Sequence, residues 1–202
     1  MDFSFIPQLA PNAEHFRIIM YGIILSTALL ESLAFVGLFI PGTVFIIFTG
    51  VLAAQGILDL GDAITSAAIG AILGDLISYY LGMKGIKFFG PEKRVLNSDL
   101  LLKAESFIKK HGSKSIWIGR FIGPLRPVVP FVAGLSRMDP KKFIAWNAAS
   151  GIAWAFTYVL VGYYFGQALK AIDIWLNRIG LGIFLVILIF GVGYWYYRSG
   201  KS

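Results

Sequence analysis

Long apolar runs, interrupted by single charged or proline residues, make up most of the chain. The first run extends from Ile18 to Leu58 and is interrupted at Glu31 and at Pro41-Gly42. One membrane-spanning helix needs about 20 residues. The pattern therefore predicts a spanning helix over 16–32, followed by a re-entrant hairpin with its tip near Pro41 and Gly42. The alternative is two plain crossings, with a kink at the proline.

Three later apolar stretches predict further spanning helices. One is Ala63–Gly82, with Asp75 in its interior, and another is Phe143–Gly166. The last covers 179–197 and follows a short loop. Gly70 and Gly74 have the GxxxG spacing that permits close helix packing. The predicted loop contains Lys170, Asp173 and Arg178, and the closing residues Tyr194, Trp195, Tyr196 and Tyr197 are typical of an interfacial aromatic belt.

A polar, basic stretch from Met83 to Lys114 separates the second and third apolar stretches. Within it, Ser98-Asp99 begins an amphipathic pattern that ends at Gly112, which predicts a helix lying at the membrane interface. Short loops rich in Lys and Arg stay in the cytoplasm. We therefore expect 83–114, the C-terminus and Arg17 on the cytoplasmic side, and the 57–62 connection outside.

The segment GRFIGPLRPVVPFVAG at 119–134 places Arg120 and Arg126 among apolar residues and prolines. A continuous helix is not expected here, since an interior proline removes a hydrogen bond and clashes with the preceding turn. The segment predicts a second re-entrant hairpin, with Pro127 and Pro130 at its tip. Such backbone is tolerated at membrane depth only when it is buried in protein or faces a water-filled cavity.

The two halves share a pattern in which a glycine is followed, at the same distance, by two tyrosines and a second glycine. Gly50 precedes YYLG at 79–82, and Gly134 precedes YYFG at 163–166. The predicted fold is therefore an all-α polytopic membrane protein built as an inverted repeat of a re-entrant hairpin plus a transmembrane helix. Its parts within a single 1–202 domain are the first repeat 15–82, the basic linker 83–114, the second repeat 115–166, and a C-terminal transmembrane helix and tail at 170–202.

Four ionisable residues lie inside the apolar segments: Glu31, Asp75, Arg120 and Arg126. Their charges sum to zero, so one interpretation is two internal ion pairs that fix the packing. The other is an anion site, because two guanidinium groups can bind a phosphate bidentately. Glu31 differs from the arginines in that it can take up a proton, so the sequence permits proton coupling.

Composition supports the membrane interpretation and reduces the number of functions that fit the sequence. Hydrophobic residues make up 57% of the chain, the mean hydropathy is +0.73 and there is no cysteine. The net charge of +7 does not indicate nucleic-acid binding, because most of the protein would lie in lipid. The spacing of histidines and carboxylates predicts no metal site, and we expect no catalytic constellation, no cofactor and no enzymatic activity. Met1-Asp2-Phe3 lacks a basic region, so we also expect no cleaved signal peptide.

Three motifs resemble the DedA family, whose shared region is also called the VTT or SNARE-associated domain. They are ESLAFVGLFIPG at 31–42, GDLISYYLG at 74–82 and GRFIGPLRPVVPFVAG at 119–134, within a resemblance that covers 15–170. The resemblance implies an integral membrane protein with two opposed re-entrant hairpins that moves lipids between leaflets. Bacterial members are linked to undecaprenyl phosphate recycling or phosphatidylethanolamine flipping, and eukaryotic relatives act as phospholipid scramblases.

Carried over by position, the resemblance implies that Glu31, Arg120 and Arg126 are needed for function. The chain departs from several bacterial members at Thr43, where they have an aspartate directly after Pro-Gly. A mechanism in which a pair of acids drives proton coupling is therefore less favoured here.

These observations predict a multi-pass protein of the plasma (inner) membrane that acts as a lipid flippase. Arg120 and Arg126 would bind the lipid phosphate, and Glu31 and Asp75 would supply counter-charge. Undecaprenyl phosphate is the favoured substrate, because its compact monoester headgroup can engage both arginines. The alternatives are a passive phospholipid scramblase, for example of phosphatidylethanolamine, and a non-transporting membrane scaffold that docks through 83–114. The expected partners are membrane lipids with an anionic headgroup, and a homo-oligomer is left open.

Overall fold

A computed structural model describes residues 13–39, 41–88 and 99–199, with side chains described for 14–39, 41–84, 102–123 and 125–171. Within those ranges the chain is helical and forms no strand, so the predicted all-α class is confirmed. Three 3-10 turns, at Val36–Leu38, Gly112–Lys114 and Gly123–Leu125, accompany the helices. The α-helices of the described ranges are α1 Ala13–Ser32, α2 Gly42–Ala54, α3 Leu60–Phe88, α4 Asp99–His111, α5 Ser115–Arg120, α6 Val129–Leu135 and α7 Pro140–Ser199.

The first helix break lies where Pro41 and Gly42 interrupt the apolar run. Helix α1 ends at Ser32, the chain turns through a 3-10 segment, and Pro41 directly precedes α2. Phe35 in this turn has a φ of 67°, which is uncommon for a bulky residue. The Ser78 hydroxyl of α3 holds the turn, because it accepts a hydrogen bond from a backbone amide of the turn at 2.8 Å. The predicted helix boundary at Pro41-Gly42 is therefore present.

Helices α1 and α2 form one antiparallel hairpin. At one end Thr43 contacts Glu31. At the other end Arg17 donates a hydrogen bond from Nε to the carbonyl of Ile57 at 3.3 Å. Arg17 therefore lies at the same end of the molecule as the 57–62 connection, and its predicted placement on the opposite side is wrong. The physical reason is that α1 is the first arm of the hairpin and not a separate helix that precedes it.

The second arm of this hairpin is too short to cross a membrane. Helix α2 has 13 residues and is therefore about 20 Å long, against a hydrocarbon core of about 30 Å. Its C-terminal carbonyl, at Ala54, accepts a hydrogen bond from the Lys170 amine of α7 at 2.5 Å. Lys170, a basic residue at the end predicted to lie outside, thus has a local role as a helix cap.

Two short helices and a turn occupy the arginine segment. Helix α5 has six residues, α6 has seven, and the chain between them bends through the 3-10 turn. Pro127 lies in this bend and Pro130 in the first turn of α6, where the missing amide hydrogen is tolerated. The prediction of an interrupted helix is confirmed. Helix α4, also as predicted, begins at Asp99, and its buried Ala104 and Ile108 pack in one cluster with residues of α6.

Each short hairpin helix packs against the long helix of the other half. Gly50 of α2 lies against α7, and Gly134 of α6 lies against α3, so closely that an added Cβ would overlap a backbone carbonyl. The same holds in the reverse direction for Gly162 of α7 against α2 and Gly82 of α3 against α6. Three glycines of the two matching motifs, Gly50, Gly82 and Gly134, thus mark reciprocal contacts between the halves. Gly162 lies one residue before the second tyrosine pair, and the motif glycine that follows this pair, Gly166, also lies against α2. Gly70 and Gly74 similarly lie against the backbone of α1, as their spacing predicts.

Helix α7 is continuous where the sequence predicts a loop at 167–178. No proline and no glycine lies between Gly166 and Gly180, and Lys170, Asp173 and Arg178 are compatible with a helix. The predicted loop is therefore wrong. The aromatic belt at 194–197 lies outside the described side chains, and the position of the C-terminus stays a prediction.

Two helical stretches in the described ranges are long and apolar enough to cross a membrane, Leu60–Lys84 and Pro140–Ala171. Each matches a predicted spanning helix. An apolar stripe on α3 lies exposed at helical spacing, as expected for a surface that contacts lipid. Its members are Ile69, Leu73, Ile77 and Tyr80.

Candidate functional site

The turn between α1 and α2 meets the bend between α5 and α6 around Arg126; the segment from α5 to α6 is called the second hairpin here, after its predicted form. This residue follows the 3-10 turn of the second hairpin, and its Nη1 forms an ion pair with Glu31 Oε1 of α1. The same Nη1 donates to the hydroxyl of Thr43 at 3.1 Å, and that hydroxyl in turn donates to Glu31. The Arg126 and Glu31 side chains are only 8% and 7% exposed. One guanidinium thus joins the tips of both hairpins.

The face of the Arg126 guanidinium lies over the indole ring of Trp154. The guanidinium carbon is 4.1 Å from the ring centroid, within the range of a cation–π interaction. The Nε and Nη2 atoms of Arg126 have no hydrogen-bond partner in the described part of the chain, and neither has Oε2 of Glu31. Buried polar atoms are usually satisfied, so this half-engaged pair is an exception that needs an explanation.

Arg120, in contrast, is held by a dense polar cluster between α3, α5 and α7. Its Nη2 forms an ion pair with Asp75 and donates to Asn147 Oδ1, and its Nε donates to Ser150 at 3.0 Å. Asn147 is itself oriented by donating to the Ile72 carbonyl at 3.0 Å. The Arg120 side chain is 2% exposed, and Nη1 is its one nitrogen without a partner among the described residues.

A cavity of about 130 Å³ lies beside both arginines. Exposed Phe121 and Gly123, in the second hairpin, border it, so the cavity reaches the protein surface. Since a water molecule takes up about 30 Å³ of liquid, the space accommodates a small headgroup without its lipid tail. The polar and aromatic residues that line it are Glu31, Thr43, Arg120, Arg126, Trp154 and Tyr158.

The structure brings the four predicted charges into two ion pairs, Glu31 with Arg126 and Asp75 with Arg120. This is the pairing that the packing interpretation requires. The cavity and the unpaired edge of Arg126 are what the anion-site interpretation requires. The two arginines therefore differ: Arg120 is largely committed to neighbours within the protein, whereas Arg126 retains two free donors.

Sequence reasoning did not find the residues of α7 that complete the site. Asn147, Ser150, Trp154 and Tyr158 recur at the spacing of one helix face within an otherwise apolar stretch. Polar side chains in a membrane helix tend to turn toward the protein interior, so this stripe was a usable signal. The predicted tip residues Pro41, Gly42, Pro127 and Pro130 lie at or next to the helix breaks, with Gly42 against Glu31.

Residues 40–164 match the VTT domain family. Over 92% of its length, the chain is 30% identical to Protein DedA of Escherichia coli strain K12, of which it covers 86%. The chain belongs to the DedA family. Together with the two long apolar helices, this membership makes it a membrane protein.

Two other relatives of this DedA-family protein are longer than it is. It is 40% identical to the inner membrane protein YabI of Escherichia coli over 70% of its own length and 56% of that protein. It is 35% identical to the uncharacterized membrane protein BU139 of Buchnera aphidicola over 83% of its own length and 64% of that protein. The chain thus spans less than two thirds of these two relatives. No solved structure gives a significant match.

Proposed function

We propose that this DedA-family protein is a transporter, not an enzyme, and that it moves a phosphate-bearing lipid between the leaflets of the membrane. The observation that carries the proposal is Arg126, a buried cation with two donors that have no partner among the described residues, beside a cavity that reaches the surface. An arginine at membrane depth is costly and is by default functional. Its planar fork matches two oxygens of a phosphate.

The arrangement of the hairpins supports transport. We infer that the α1–α2 hairpin enters the membrane from one face and the 115–135 segment from the other, since their tips meet at Arg126. The reciprocal glycine contacts between the halves support an inverted repeat, in which substrate sites lie where the repeats meet. Movement of one hairpin against the other would then open the site alternately to each leaflet. We place the 83–114 segment on the cytoplasmic side.

A compact phosphate monoester suits the dimensions of the site best. The cavity holds about 130 Å³, and its polar lining offers donors from Arg126 and a hydroxyl from Thr43. Undecaprenyl phosphate has such a headgroup and remains our favoured substrate. Its dianionic charge would compete with Glu31 for Arg126. Protonation of Glu31 would release Arg126 to the lipid, which gives a route to proton coupling.

The test is lipid flipping by the purified full chain in proteoliposomes. We expect Arg126→Ala to abolish flipping, while Arg137→Ala, at an exposed arginine just beyond α6, leaves it unchanged. Wild-type rates with Arg126→Ala would refute the proposal.

Two further arms separate the alternatives. Flux that is independent of a pH gradient would indicate a passive scramblase. If the protein is a scaffold, the wild-type chain should not flip lipid. Its docking through the 83–114 segment should instead be lost when the charges of the exposed lysines of α4 are reversed, namely Lys103, Lys109 and Lys110.

A further inference from the structure

We propose that Trp154 is the positioning residue that keeps the buried Nε–Nη2 edge of Arg126 unpaired and available to an oxyanion. This inference rests on the proposed function, since it assigns a role within the same phosphate site. Trp154 does not act on the lipid itself. It sets the plane of the guanidinium that does.

An arginine and a carboxylate adopt a characteristic pairing when no other contact restrains them. Their preferred geometry is bidentate, with two parallel hydrogen bonds between the fork and both carboxylate oxygens. Here the pair is engaged through a single nitrogen and a single oxygen, Arg126 Nη1 and Glu31 Oε1. The remaining atoms on both sides, Arg126 Nε and Nη2 and Glu31 Oε2, have no partner within the described residues. The Arg120–Asp75 pair is also joined through one nitrogen and one oxygen, but there Ser150 and Asn147 bind the guanidinium as well. Nε and Nη2 of Arg126 have no such polar partner among the described residues, and we infer that a different contact prevents the bidentate arrangement.

Trp154 supplies that contact from the face of the guanidinium. The indole ring lies 4.1 Å from the guanidinium carbon, and it is itself nearly inaccessible, with 1% of its surface exposed. A buried, packed ring cannot turn to follow the arginine. The cation–π attraction therefore fixes the guanidinium plane, and Thr43 occupies Nη1 from a second direction at 3.1 Å. With its face and one nitrogen engaged, Arg126 has only the Nε–Nη2 edge left.

That edge has the geometry which an oxyanion needs. Two N–H groups on one side of a planar fork can each donate to a different oxygen of a tetrahedral phosphate. Arg126 also lines the cavity of about 130 Å³, and because both nitrogens of this edge are buried, a small movement of the hairpins must bring a phosphate in the cavity against them. When the ring attraction is weakened, the guanidinium is free to rotate into the bidentate pair with Glu31. Glu31 then occupies the donors that would otherwise bind the oxyanion.

The test changes the electrostatics of the ring and leaves its shape nearly unchanged. Mono-, di- and trifluorotryptophan are introduced at position 154 of the full chain by nonsense suppression, and binding of farnesyl phosphate to the purified protein in detergent is measured. Each fluorine withdraws electron density from the ring face. We expect the Kd to rise stepwise, by about twofold to thirtyfold in total. The same series at Trp146, a half-buried tryptophan two turns earlier on α7, is the matched control and should leave the Kd unchanged.

A second arm asks whether Glu31 is the competitor. In a Glu31→Gln background the bidentate ion pair cannot form, so the fluorine series at position 154 should change the Kd much less. A Kd independent of fluorination at position 154, while Arg126→Ala abolishes binding, would overturn the role of Trp154 and leave the phosphate site intact. Wild-type binding by Arg126→Ala would instead remove the proposed function, and this inference with it. Equal effects at positions 154 and 146 would also overturn it, since that result indicates a general loss of stability.

Discussion

Replacing Asp75 by asparagine removes the charge that balances Arg120 while it keeps the size of the side chain. Arg120 would then retain two neutral neighbours, Asn147 and Ser150. The guanidinium stays protonated at any physiological pH, so it cannot escape by losing its proton. We therefore expect Asp75→Asn to destabilise the protein more than any comparable change at its surface.

The magnitude follows from the burial of the pair. The Arg120 and Asp75 side chains are 2% and 4% exposed, so solvent provides almost no screening. Removing one partner of a buried pair costs about 3–5 kcal/mol in free energy of unfolding. For a chain of this size, about 2–4 °C of melting temperature is lost per kcal/mol, so the midpoint should fall by about 6–20 °C.

The assay is thermal unfolding of the purified protein in detergent. Asp62→Asn is the matched control, because it makes the same chemical change at an exposed position in the first turn of α3. A double variant, Asp75→Leu with Arg120→Met, should be more stable than Asp75→Leu alone, since replacing both charges leaves none uncompensated. If Asp75→Asn and Asp62→Asn have the same melting temperature, Arg120 does not depend on this carboxylate.

Three other expectations follow from the packing. Gly162→Ala would force a Cβ into the backbone of α2 and should lower the melting temperature clearly, whereas Gly22→Ala, in open space on α1, should leave it unchanged or raise it; equal midpoints would contradict the close approach of the two helices. Cysteines at positions 17 and 170 should react with an impermeant reagent from one side of the membrane, and a cysteine at position 109 from the other; labelling of positions 17 and 109 from the same side would contradict the hairpin. Lys170→Ala removes a helix cap and should lower the free energy of unfolding by about 0.5–1.5 kcal/mol, which thermal unfolding measures. An unchanged melting temperature would contradict the role of Lys170 as a cap.

The helix breaks and the candidate charges could be predicted from the sequence because they depend on local chemistry. Pro41-Gly42 and the prolines around Arg126 are incompatible with the interior of a continuous helix, since a proline lacks the amide hydrogen and its ring clashes with the preceding turn. The charged residues within apolar runs were equally visible. The loop predicted at 167–178 is wrong because that prediction relied on polar residues, which are compatible with a helix. This segment contains no proline or glycine that would interrupt α7.

What the residues contact could not be predicted in the same way. The sequence left open whether the four charges form ion pairs or an anion site. Packing placed Asn147, Ser150 and Asp75 around Arg120, and it left Arg126 half-engaged beside Trp154. The partners are distant along the chain, and small shifts in how the helices pack would change which nitrogen meets which oxygen.

Local patterns in the chain were therefore enough to identify a helical membrane protein with two interrupted segments and buried charge. Helix packing was needed to show that α1 is an arm of the first hairpin, with Arg17 beside Ile57, and that the two arginines have different surroundings. The difference lies in how far apart along the chain the interacting residues are. Helix formation and its interruption are set within a few residues, whereas the register of packed helices depends on glycine contacts between segments far apart in the chain.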